Sequence, residues 1–442
     1  MKGVTMKKGS LIHSEKPFVH VLSTNHRKDR CDNCYSGCEL LRCSGCEYVK
    51  YCDSTCQKNS WTFHRNECLN LKKLPPNREL PNAARLLARI IMKLKRGGGH
   101  EKGFYSKNRF RMFKDLMSHY SDIKEDKKKM EHSNCLYHVL SDFMGRENLP
   151  NFPEFVGLYG RVTVNSFNVL DLDMTTLGTA VYLGASTIDH SCEPNAVATF
   201  VGTTIHIRTV ADIEDYDWSK VRISYIDTLK NRAERHLALW SQYYFECDCT
   251  KCNLKNDQRV VESCIQCQDC SAPVNVDKEN VSCTMCGCKV PEETVLLYKE
   301  VINFTTHQYE LMDQIAYFDS CKLCLAKMEG LVHHNNIIYV QTLDLAFESA
   351  IQLQKWDEAI ELGQKLTNGY KLYCGRYSPL LGYHYLKYGK ILLYNNNTTQ
   401  ALEMFEAASD VLKVTHGTEH TLYKHNLMHL MLETKTLLYS MS

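Results

Sequence analysis

The chain has 442 residues, too long for one ordinary core; a prior of roughly one domain per 150 residues gives about three. Hydrophobic residues make up 44% and charged residues 24%, the balance of a globular chain rather than a disordered or fibrous one. Net charge is +2, so bulk electrostatics select no partner, and no apolar run approaches the ~20 residues that a membrane span needs.

The opening residues from Met1 to Lys8 lead into no apolar stretch, so a secretory leader is not expected. Residues 1–30 read as short strands and turns, with Leu11-Ile12 and the run from Phe18 to Leu22 as their apolar parts. Of 22 cysteines, eight then lie between Cys31 and Cys68 and nine between Cys247 and Cys288. Pairs two residues apart, clustered in a chain of intracellular type, mean bound metal rather than disulfides. The first cluster reads Cys31-x2-Cys34, Cys43-x2-Cys46, Cys52-x3-Cys56, His64-x3-Cys68: eight ligands, enough for two tetrahedral zinc sites. A segment this poor in apolar residues draws its folding free energy from the metal. Cys38 falls outside the spacing.

From Asn82 to Leu94 the apolar positions Ala84, Leu87, Ile91 and Leu94 recur at helical spacing and stop at Gly97-Gly98-Gly99. Residues 104–145 also read as helical. The basic stretch 85–129 carries 14 Lys/Arg against five Asp/Glu, but no recognition-helix pattern accompanies it, so direct DNA binding is not expected. Residues 160–228 are β-rich, with short runs at Val162–Val164, Ala196–Ala198, Thr204–Ile207 and Val221–Tyr225.

In the second cluster Cys247-x-Cys249-x2-Cys252 is one ligand short of a closed site, and Cys192 is the candidate for the fourth. Beyond it, Cys267-x2-Cys270 and Cys283-x2-Cys286 read as the two knuckles of a zinc ribbon, with Cys264 and Cys288 as competing ligands. The total is about four zinc ions per chain. From about Glu292 the text is helical to the end. The stripe Ala359, Leu362, Leu366 recurs as Ala401, Met404, Ala408, and Gly375 recurs as Gly417, both at a 42-residue offset. Stacked helical hairpins of the tetratricopeptide kind have this signature.

The first cluster, with Gln57 and Trp61 between its later ligands, closely resembles the MYND zinc finger. That resemblance implies interleaved sites, Cys31, Cys34, Cys52 and Cys56 holding one zinc and Cys43, Cys46, His64 and Cys68 the other. It also implies binding of proline-containing peptides. His190-Ser191-Cys192-x-Pro194-Asn195, then Ile223-Ser224-Tyr225-Ile226-Asp227, then the run from Tyr243 to Cys249, resemble the SET methyltransferase core with its cysteine-rich post-SET end. Together, from Gly3 onward, the order resembles the SMYD family of protein-lysine methyltransferases.

The resemblance implies an α+β multidomain protein. Residues 1–30 form the N-terminal part of SET, 31–68 the MYND finger, 69–160 a helical SET insertion and 161–228 the SET core. Residues 229–291 form the post-SET region with a ribbon-like insertion, and 292–442 a TPR-like helical domain. It implies methyl transfer from S-adenosylmethionine to a histone or non-histone lysine in nucleus and cytoplasm. Phe167, Tyr225 and Tyr243 would line the lysine channel, Tyr225 with its hydroxyl beside the amine and at the cofactor. Asn165, Ser186, Asp189, His190 and Phe245 would contact the cofactor. The helical tail is expected to cover the SET face, to restrict substrate access and to offer a surface to a chaperone or other protein.

Three departures from the family pattern bear on activity. Gly3-Val4-Thr5 corresponds to residues just after the family's Gly-Asn-Gly-like cofactor loop, so the first strand is expected to be missing. Asp189 stands for the usual Asn of Asn-His-Ser, and accepts hydrogen bonds but donates none when ionised. Met117 precedes Ser118-His119 where the family has an acidic residue. The alternative function is a catalytically silent scaffold that recruits proteins through finger and repeats.

Overall fold

Strand Leu11–Glu15 finds its partner almost two hundred residues away, Leu11 lying opposite Arg208. The computed structural model that shows this describes residues 4–75, 78–254, 261–276, 281–312 and 317–441. Gly3, where the resemblance begins, lies outside them. The chain divides into two compact units. The first comprises Met1–His190, Pro194–Ile223 and Leu239–Glu246; the second comprises Ser191–Glu193, Ser224–Ala238 and Cys247–Ser442.

The first unit contains small sheets. Leu11–Glu15 pairs antiparallel with Thr204–Thr209, which pairs with Ala196–Val201. Val19–Leu22 pairs with Thr176–Val181, which pairs with Ser166–Leu170. Asp189–His190 runs parallel to Arg222–Ile223. In Thr204–Thr209 the alternate residues Ile205, Ile207 and Thr209 are buried, the period of two that a strand imposes. Helix Asn82–Lys95 is buried continuously from Ala84 to Ile91, so apolar stripe and opposite face are both enclosed. Its Leu86, Leu87 and Ile90 share one core with Val19, Val21, Leu140 and Phe155.

Two readings of the sequence are corrected in this unit. Residues 104–145 are not continuously helical: Gly103–Phe104 and Phe110–Arg111 form a hairpin, and helices follow at Tyr120–Glu125 and Lys127–Met144. The polar run Ser106-Lys107-Asn108 supplies the hairpin turn. The Val162–Val164 run is no strand but the end of helix Phe152–Asn165. There Asn151 caps the N–H of Glu154, a proline sits in the first turn, and Phe155, Val156, Tyr159 and Val162 are buried at helical spacing. Cap and stripe outweigh the strand preference of β-branched residues.

In the second unit, strands Cys264–Gln266 and Pro273–Asn275 pair antiparallel. Helices follow from Glu292 onward. Ile337–Gln352 and Trp356–Cys374 form one pair, Pro379–Tyr394 and Thr398–Thr415 the next, each element starting 42 residues after its counterpart. Gly375 and Gly417 have φ of 81° and 86°, the left-handed conformation that lets a helix end in a tight turn. Among the described residues no helix is long and apolar enough to cross a membrane.

Candidate metal centres and methyl-transfer site

Four Cys-x2-Cys pairs of the two clusters, Cys31/Cys34, Cys43/Cys46, Cys267/Cys270 and Cys283/Cys286, adopt one local geometry. The N–H four residues after the first cysteine bonds its carbonyl: Tyr35 to Cys31, Glu47 to Cys43, Ser271 to Cys267 and Gly287 to Cys283. Each of those donor residues has positive φ, between 57° and 78°. Three of the four are not glycine, and such strain persists where the surroundings over-determine the loop. In the finger the hairpin Leu41–Arg42/Lys50–Tyr51 carries the second pair. Helix Ser54–Lys72, capped where Asp53 accepts from the Cys56 N–H at 2.7 Å, carries Cys56, His64 and Cys68.

The ligand atoms gather in four sets: Cys31/Cys34/Cys52/Cys56, Cys43/Cys46/His64/Cys68, Cys192/Cys247/Cys249/Cys252 and Cys267/Cys270/Cys283/Cys286. Within each set all lie within 4.8 Å of one another. A tetrahedral zinc with Zn–S bonds of about 2.3 Å places its sulfurs about 3.8 Å apart. The Sγ–Sγ distances are 3.4 Å for Cys34–Cys52, 3.9 Å for Cys43–Cys68, 3.5 Å for Cys192–Cys252 and 3.6 Å for both Cys267–Cys286 and Cys270–Cys283. The donor sets fit zinc in closed structural sites, and all 22 cysteines are free of disulfides. The two competing thiols stand apart from the ribbon set: Cys264 is buried and donates to the Val261 carbonyl, and Cys288 donates to that of Lys289.

A second layer around the finger was not evident from spacing. His64 Nδ1 lies 3.2 Å from Glu67 Oε1 while its Nε2 faces Cys43 and Cys46 at 3.3 and 3.5 Å. Glu67 and Asp32, both buried, meet Arg85 and Arg89 of helix Asn82–Lys95. Burial alone would push both carboxyls up, but the two guanidiniums outweigh it and hold them below the usual carboxylate range. Two of the cations counted in the basic stretch are therefore interior ion-pair partners. The available signal was that Asp32 and Glu67 each fall between two ligands.

In the first unit the structure brings Tyr243, Phe245 and His190 together. The Phe245 ring centroid lies 6.0 Å from that of His190 and 6.4 Å from that of Tyr243, and burial pushes the Tyr243 hydroxyl's pKa up. Phe167 packs edge-on against Tyr182 at 5.7 Å. Asn165, the last residue of its helix, spends its amide protons on the carbonyls of Met117 and Arg161, both at 2.8 Å. The Ser186 hydroxyl donates to the Leu183 carbonyl. Asp189 is exposed, its Oδ2 3.8 Å from Arg222. Tyr225 belongs to the second unit, partly buried, just after strand Arg222–Ile223.

Zinc-knotted knuckles, small β-sheets and a helical repeat tail on one chain define a SET–MYND type of architecture. The MYND finger model matches residues 29–68. The chain is 30% identical over 430 residues to the histone-lysine N-methyltransferase SMYD3 of Homo sapiens, covering 96% of this chain and 92% of that protein. It is 26% identical to the N-lysine methyltransferase SMYD2-A of Danio rerio (94% and 91% covered) and 25% identical to SMYD2 of Homo sapiens (93% and 90%). The chain belongs to the SMYD family.

Proposed function

We propose that this protein is a protein-lysine N-methyltransferase that uses S-adenosylmethionine and acts on a histone tail or a non-histone lysine, in cytoplasm and nucleus. One observation carries the reading: two of the three segments of the SET resemblance, distant in sequence, converge. His190 meets Phe245 in the first unit, and two residues further along, Cys192 joins Cys247, Cys249 and Cys252 in the second.

The side chains fit the cationic and aromatic parts of the cofactor. With their donors spent, Asn165 and Ser186 present acceptors, and the Asp189 carboxylate is a third; together they suit an ammonium and ribose hydroxyls. The partly exposed Phe245 ring suits the adenine face. When bound, the cofactor supplies a methyl group on a sulfonium. The chain's part is to deliver a neutral amine in line with it. Phe167 and Tyr243 strip water from the lysine stem, and desolvation favours the uncharged amine. The Tyr225 hydroxyl accepts a hydrogen bond from that amine and aims its lone pair, so no strong base is needed at the transfer step.

Transfer of a labelled methyl group to histones and to cytosolic extract tests the reading. Tyr225→Phe is expected to lower the rate about 10²-fold with zinc content and fold unchanged. His190→Ala is expected to fail at cofactor binding, read by calorimetry. Transfer that survives Tyr225→Phe overturns that residue's role. Absence of transfer favours the scaffold reading, for which Asp189 in place of Asn is the motivating observation. In either case the finger is the proposed site for proline-containing peptides and the helical tail that for a chaperone or other protein.

A further inference from the structure

Four buried charges lie beside the finger's metal knots. Asp32 sits between the ligands Cys31 and Cys34 of one set; Glu67 sits between His64 and Cys68 of the other. Each acid is shared by the same two arginines. Arg85 grips Asp32 with both terminal nitrogens, at 2.7 and 3.1 Å, and grips Glu67 through Nη2 and Nε, at 2.7 and 3.2 Å. Arg89 Nη2 bonds Asp32 Oδ2 at 2.7 Å and Glu67 Oε1 at 2.6 Å, and its Nη1 donates to the His20 carbonyl at 2.5 Å. None of the four residues is more than 2% exposed.

Such a cluster needs a reason, because apolar residues of the same volume usually stabilise a fold as well as a buried ion pair does. The metal sites supply one. Zinc held by four thiolates leaves a net negative knot, and carboxylates buried next to it add to the repulsion unless cations face them. Glu67 also fixes the tautomer of His64, holding the proton on Nδ1 so that Nε2 turns its lone pair to the metal, as outer-shell carboxylates do. Arg85 and Arg89 in turn keep Glu67 from rotating away. Both cations come from Asn82–Lys95, outside the matched finger residues 29–68.

We infer that Arg85 and Arg89 complete the outer coordination shell of both finger zinc sites through Asp32 and Glu67. Metal retention in the finger is thereby set by a helix of the surrounding unit, not by the finger alone. The inference rests on the zinc reading of the finger, which metal analysis of the purified wild-type protein checks separately.

The test uses full-length, zinc-loaded protein challenged with a chelator. Thiols freed by metal loss are alkylated and mapped by peptide mass spectrometry, so every cysteine reports on its own site. Arg85→Met is expected to speed alkylation of the finger cysteines about 10–100-fold. Cys192, Cys247, Cys249 and Cys252, and the ribbon set, serve as the internal reference and should keep their rates. Adding Asp32→Asn to Arg85→Met removes an uncompensated charge and should recover part of the loss, which a packing defect would not. Should Arg85→Met fail to accumulate, Arg85→Lys keeps the charge but loses the two-pronged grip, and is expected to give an intermediate acceleration. Equal acceleration at all four sites, unchanged finger rates, or no recovery in the double variant overturns the inference.

Discussion

Asp344 shows what one side chain contributes to stability. It accepts the Tyr370 hydroxyl inside the helical repeats, and burial raises its pKa from 3.8 to about 6; Glu348 and Asp227 push the same way, while the Tyr370 bond and Lys387 oppose. Because the folded value is the higher one, protonation favours the fold. Its contribution to stability is full below about pH 4, falls as pH rises through 4 to 6 and is flat above, the total change being about 3 kcal/mol. Asp344→Asn keeps a neutral acceptor for Tyr370. It is expected to raise the Tm near pH 7.5 by a few degrees and to flatten the fall between pH 4 and 6. An unchanged or lowered Tm at pH 7.5 would show that the carboxylate is not a burden. Residues of this kind explain how much of the site was legible. The cysteine ligands were, because chelation by turns fixes their spacing along the chain. Arg85 and Arg89 were not: at four-residue spacing they resemble any solvated helix face, and only the tertiary fold gives them Asp32 and Glu67.

At the scale of elements, the helical tail was the most legible part, since packing of stacked hairpins repeats the same apolar positions at a fixed period. Val162–Val164 and the 104–119 stretch were misread because local composition there was ambiguous, and the deciding features, a cap at Asn151 and the short turn at Ser106-Lys107-Asn108, span only one to three residues. The tail's helices also carry glycines where side chains of a neighbouring helix press close. A Cβ at Gly369 would stand 2.4 Å from Val340 Cγ1 and 2.8 Å from its Cγ2. Helix propensity favours alanine over glycine by about 1 kcal/mol. A β-branched valine has no easy alternative rotamer, however, and overpacking costs about 1–3 kcal/mol. Overpacking is expected to win: Gly369→Ala should lower stability by about 1 kcal/mol in urea unfolding, and Gly369→Ala with Val340→Ala should regain part of it. A single variant more stable than wild type would mean that helices Ile337–Gln352 and Trp356–Cys374 separate at little cost.

For the molecule as a whole, the reading of consecutive segments met its limit in the path of the chain. The chain leaves the first unit at Ser191, returns at Pro194, leaves at Ser224, returns at Leu239 and leaves finally at Cys247. Periodicity reports what a segment is, not which distant segment it joins, so this interleaving is invisible in the sequence. It changes what removal of the tail can test. Residues beyond 294 satisfy carbonyls of the post-SET stretch: Gln341 donates to Leu229 at 2.9 Å, Tyr373 to Val261 at 3.1 Å and Asn336 to Cys264 at 3.1 Å. Val332 bridges Ile265 in register with the ribbon strands. Each buried carbonyl left without its donor costs about 1–3 kcal/mol. Deleting 295–442 is therefore expected to abolish amide-exchange protection across 261–276 and to weaken it in 232–238, while 82–95 in the first unit keeps its protection. Any activity change in that truncation would report loss of the post-SET stretch before it reported on gating. A gating role is better sought in full-length variants of exposed tail residues. Full protection of 261–276 in the truncated chain would show that the ribbon folds alone, and would restore deletion as a clean test of the tail.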